Sequence, residues 1–124
     1  MQDFTLYIGL SYDPINFNCW HLVKKVQQEC FRRDLPDFDV HGADLRKVAK
    51  TFDTAAERQN WQRIKKPTHG CCVLMRRARL PIHIGVWLDI DGGGILHNLE
   101  NIGVVFQSRL NLSGLNIEGY YDHD

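Results

Sequence analysis

"IHIGVWLDIDGGGILHN", residues 82–98, decides how this chain of 124 residues is read. Ile82, Ile84, Val86, Leu88 and Ile90 alternate with His83, Gly85, Trp87 and Asp89, the period of two that a strand with one buried face requires. Asp91-Gly92-Gly93-Gly94 is a strong turn signal, and ILHN can return as the hairpin partner. With Ile90 midway between them, His83 and His97 are expected to face each other across the hairpin, on the face opposite the apolar stripe. Three glycines invite a bulge that would move this pairing. Asn98 points to the other face from His97, so only one of the two can serve a site built around His83.

Outward from this hairpin, residues 71–76, 103–107 and 117–121 read as further short strands. The first half reads as helical. Asn18 is a good helix cap, and Cys19, Leu22, Val23, Val26 and Cys30 then recur at the helical period, which predicts a helix from 19 to about 33, ending before Leu35-Pro36. A second helical pattern covers 43–52. Thr54 and Glu57 have capping-box spacing, so a third helix is expected over 55–65, with Trp61 and Ile64 inward. Helices followed by an antiparallel meander predict one α+β domain, its helices packed on one face of a small sheet. The length suits a single core and therefore a single site.

Composition narrows the function. The chain is 44% hydrophobic with three tryptophans, as a packed globular protein is. Fifteen basic residues balance fifteen acidic ones, so no net charge draws in nucleic acid or an anionic membrane. Arg76, Arg77 and Arg79 with Lys65 and Lys66 are better read as a solvated turn than as a nucleic-acid patch. The N-terminus lacks the pattern of a secretion signal, and no stretch approaches the about 20 apolar residues that span a bilayer. The expectation is a product made in the cytoplasm without membrane insertion. Cys19, Cys30, Cys71 and Cys72 are expected to be free thiols. Cys19 with His21 and His69 with Cys71 are close pairs of zinc-ligand type, but their spacing matches no common site, so neither metal nor cofactor is expected.

The residues able to do chemistry are Cys19 and His83. A cysteine in the first turn of a helix sits where unpaired N–H groups and the helix dipole favour a thiolate. An imidazole on the hairpin strand can take its proton and return it to a leaving amine, the minimum for acyl transfer. Gly85, two residues along the same face, is read as an open slot beside that imidazole for thiolate and substrate carbonyl. The plainer reading of Cys19 is the first residue of an apolar stripe, and of His83 a half-exposed sheet histidine.

"NCWHLV" (18–23), "HIGVWL" (83–88) and "GGILHN" (93–98) together resemble the three signature blocks of the NlpC-type cysteine peptidases, papain-like cell-wall endopeptidases of bacteria and phages. "IGLSY" (8–12), "PTHGCCVLM" (67–75) and "IEGYYDHD" (117–124) extend the resemblance over most of the chain, and the tryptophan after the cysteine is similar to versions encoded in phage tail gene clusters. The resemblance implies a papain-like fold, Cys19 as nucleophile, His83 as general base and then acid, and His97 as the residue orienting His83. It implies an oxyanion hole from the Cys19 N–H and the Tyr12 hydroxyl, with Trp20, His21 and Gly85 beside the substrate. The implied reaction is hydrolysis of an amide bond in the peptidoglycan stem peptide. It would occur at a phage tail tip docked on a hub protein, opening the wall for DNA entry. The alternative is a catalytically silent tail-tip or assembly subunit of the same fold. Asn18, His21 and Cys71 depart from the family's frequent aspartate, glycine and aspartate.

Overall fold

A computed structural model describes residues 3–36, 47, 50, 61–77, 82–112 and 115–123. The order of elements is helix α1 (Cys19–Phe31), then strands β1 (Trp61–Ile64), β2 (Cys72–Arg77), β3 (Ile82–Leu88), β4 (Gly94–Leu99), β5 (Gly103–Ser108) and β6 (Leu115–His123). The six strands form one antiparallel sheet in the order β1-β6-β2-β3-β4-β5, with α1 packed against it. The architecture is therefore α+β.

Helix α1 begins where its cap requires. The Asn18 side chain accepts from the N–H groups of Trp20 and His21 at 3.0 and 3.2 Å, and His21 Nδ1 accepts in return from the Asn18 N–H at 3.0 Å. This is a capping box with an imidazole in place of the usual Glu or Gln. The helix ends at Phe31, two residues earlier than expected, because Arg32 turns left-handed at φ 55° and the Arg33 N–H closes back onto the Gln27 carbonyl at 2.9 Å. Cys19, Trp20, Leu22, Val23 and Val26 pack from this helix onto Cys72, Leu74, Ile84, Val86, Leu88, Leu96 and Val104 of the sheet.

The alternation in β3 holds, with a difference in what it means. Its other face is buried too: Cys71, Val73, Met75, Trp87 and Ile95 form a second apolar cluster flanked by Ile64, Leu112, Leu115, Ile117 and Tyr120. His83, expected on an open polar face, is only 9% exposed. Two-residue periodicity distinguishes the two faces but does not say whether something covers the second.

The hairpin is displaced by two residues from the expected register. Leu88 pairs with Gly94 and Gly85 with His97, so His97 lies opposite Gly85 and diagonal to His83. The cause is the turn: Asp91, Gly92 and Gly93 all have positive φ, and Gly93 lies against the Trp87 ring, where a Cβ would come within 2.6 Å.

Residues 61–64, expected as the end of a third helix, are instead the edge strand β1, paired with β6 from Trp61–His123 to Ile64–Tyr120. A local capping signal lost to a long-range partner: β6 offers ladder hydrogen bonds, and the Trp61 indole, buried, donates to the Asp34 carbonyl at 2.9 Å. Thr54, Glu57 and the rest of that expected helix lie outside the described residues. So does most of the helix expected over 43–52, of which Lys47 and Lys50 are described and are helical. At the other edge the N-terminal segment runs along β5, the Gly9 N–H donating to the Val104 carbonyl at 2.9 Å and the Val104 N–H to the Leu10 carbonyl at 3.0 Å.

Candidate active site

His83 and His97 come together inside the protein. His83 Nε2 and His97 Nδ1 are 2.8 Å apart, and the ring centroids 5.0 Å. His97 is fully buried, and its other nitrogen, Nε2, is 3.0 Å from Gln107 Oε1 on β5. The Gln107 amide nitrogen donates in turn to the Asn111 carbonyl just after that strand.

Gly85 permits this contact, though not as the open slot expected. A Cβ there would stand 2.6 Å from Ile95 Cγ2, 2.9 Å from the Leu96 carbonyl and 3.0 Å from His97 Cβ. The space is filled by β4, and the missing side chain lets His97 lean across the ladder to the diagonal His83. Asn98, on the opposite face, binds the start of the helix: Nδ2 donates to the carbonyls of Phe17 and Asn18 at 2.8 and 3.3 Å. Of the two residues, His97 is the one beside His83.

Through Asn98 the helix start is held where the β3–β4 ladder ends, at the Gly85–His97 pair. Cys19 packs there against the main chain of β3, its sulfur within hydrogen-bonding reach of the N–H of Ile84, the residue after His83. The expected lowering of the thiol pKa is overturned. Cys19 is only 4% exposed, and burial pushes its pKa from the usual 9.0 up to about 11. The N–H groups of Ile84, Trp20 and Cys19 itself pull the other way and offset this only in part. Desolvation of the charged form wins over the helix terminus, so the resting sulfur is a thiol.

Tyr12 does reach this neighbourhood. Burial, and then the charge Cys19 would carry once ionised together with the carboxylates of Glu100 and Asp13, hold its phenol above the usual range, so it remains a hydrogen-bond donor at neutral pH. It lines a cleft of about 320 Å³ with Ser11, Pro14, Glu100, Asn101 and Gly103 among its walls. Two other residues expected beside the substrate have partners within the fold. Trp20 is 1% exposed and donates its indole N–H to the Pro36 carbonyl at 2.9 Å, so it anchors the segment after the helix. His21 spends Nδ1 on the helix cap.

Elsewhere, all four cysteines are free, with Cys71 and Cys72 buried. His69, paired with Cys71 in the zinc reading, accepts the Asp89 N–H at Nδ1. Among the described residues no three His, Cys, Asp or Glu side chains converge as metal ligands, and no helix is long and apolar enough to cross a membrane. Arg76 lies 3.7 Å from Glu118, an exposed ion pair. Gln107 is the residue that sequence reasoning missed. The only signal was a lone amide in the apolar run VVFQS, and its partner depends on two strand registers. No family model matches the chain, and none of the curated proteins matches it.

Proposed function

We propose that this chain is a papain-like cysteine hydrolase that cuts an amide bond in the peptidoglycan stem peptide, carried at a phage tail tip on a hub protein. The observation that carries the reading is the buried His83–His97 pair at 2.8 Å, beside the strand position against which Cys19 packs. Two imidazoles brought together in an interior are costly to desolvate, and orienting a base is a use that justifies them. The resemblance of the three sequence blocks supplies the substrate class.

In this mechanism His83 removes the Cys19 proton as the sulfur attacks the scissile carbonyl. Because the resting thiol is protonated, activation occurs with substrate in place and not through a standing ion pair. The oxyanion accepts from the Cys19 N–H and the Tyr12 hydroxyl. His83 then protonates the leaving amine, and a water activated by the same ring hydrolyses the thioester. Substrate lies along the cleft walled by Tyr12 and Glu100. Incubation of the protein with purified peptidoglycan, followed by mass analysis of released fragments, is the test. New fragments with free amines, absent with Cys19→Ala, are expected. Identical digests from both proteins would sink the reading.

One observation favours the second reading, a silent tail-tip subunit of the same fold: Cys19 is nearly as buried as the core leucines. Under that reading Cys19→Ala particles infect as well as the parent.

A further inference from the structure

We propose that Gln107 is a positioning residue that sets the tautomers of both histidines, so that the ring nitrogen of His83 that carries no proton is Nδ1. The inference follows the hydrogen bonds inward from the surface. The Asn111 carbonyl can only accept, so the Gln107 group facing it is the NH2 and the group facing His97 is Oε1. Oε1 also can only accept, so His97 carries its proton on Nε2. A neutral imidazole has one N–H, which leaves His97 Nδ1 as an acceptor. Across the 2.8 Å contact, His83 Nε2 must then be the donor. With its proton committed there, His83 keeps its lone pair on Nδ1, and only that nitrogen can accept a proton.

Reversing any link reverses them all. Were Gln107 unable to accept, His97 would gain by moving its proton to Nδ1, where His83 Nε2 is within reach. His83 would then hold its proton on Nδ1 and cease to be a base. The arrangement does what a carboxylate does for a catalytic histidine, but with a neutral amide whose orientation is fixed by one main-chain carbonyl. Gln107 touches neither substrate nor sulfur in this scheme; it acts through His97.

The tautomers themselves are independent of whether the protein is an enzyme, whereas their kinetic consequence rests on the proposed role of His83. The experiment is therefore 15N NMR of histidine-labelled full-length protein near neutral pH, read together with the peptidoglycan assay. In the parent protein both His83 and His97 are expected as the Nε2–H tautomer. Gln107→Leu should move both toward Nδ1–H, and Gln107→Glu, which keeps an acceptor, should retain Nε2–H. In the assay Gln107→Leu should lower kcat by about 100-fold with KM little changed, and Gln107→Glu should recover part of the loss. A parent spectrum with His97 as Nδ1–H or doubly protonated overturns the inference even if no variant folds. So does a folded Gln107→Leu protein whose two rings stay Nε2–H. Correct tautomers in a protein that releases no fragments would overturn the hydrolase and leave the role of Gln107 standing.

Discussion

Cys19 is the residue at which burial and main-chain N–H groups oppose each other, and burial prevails. That outcome has a sign that can be worked out. A thiol whose pKa is raised in the fold is deprotonated more readily in the unfolded chain, so its contribution to stability is complete below pH 9 and is lost as pH rises toward 11. Cys71 and Cys72 are raised by burial as well, and act in the same direction. Urea unfolding from pH 8 to 11 should therefore show falling stability, by at most about 1.4 kcal/mol per pH unit for each thiol. Cys19→Ser should make the fall shallower without abolishing it. A second prediction belongs to Gly85. An alanine Cβ would meet the Leu96 carbonyl at 2.9 Å, and a backbone atom cannot rotate away. Gly85→Ala should cost about 1–3 kcal/mol in chemical denaturation and should push His97 away from His83, visible as a change in their NMR signals. At this scale the sequence led to the His83–His97 contact by chemical type. It misread Gly85 as open space, because what fills that position depends on what the folded chain places next to it.

Among the elements, α1 and β3 were legible because each carries its signal within itself: a cap and a stripe in one, strict alternation in the other. Register and β1 were not, because both are decided by a partner. Three consecutive positive-φ residues moved the β3–β4 pairing by two positions, and β6, more than fifty residues downstream, claimed residues 61–64 as a strand. The joint between α1 and β4 is made by Asn98, whose amide holds two carbonyls of the helix start while its own Oδ1 is buried with no hydrogen-bond partner among the described residues. Asn98→Ala leaves those two carbonyls without the amide and should cost about 1–3 kcal/mol. Asn98→Asp should be worse, since a carboxylate replaces the donor and faces two carbonyl oxygens. Comparison of the two variants by thermal unfolding checks the order; an aspartate variant more stable than the alanine one contradicts it.

At the scale of the molecule, the described sheet has apolar clusters on both faces, and this is why an alternating strand could be read correctly while its second face was taken for an open one. Composition places 44% apolar residues in the chain but is silent on how they divide between two sides. At the β5 edge, Gly9 and Leu10 trade main-chain hydrogen bonds with Val104, and Tyr12 follows two residues later. A protein shortened by its first ten residues would leave the Val104 N–H and carbonyl on β5 without these partners, an invitation for the same strand of a second molecule to pair there. Such a truncation should elute as larger species in gel filtration than the parent chain at the same concentration. The leading segment is in this sense a built-in guard against self-association.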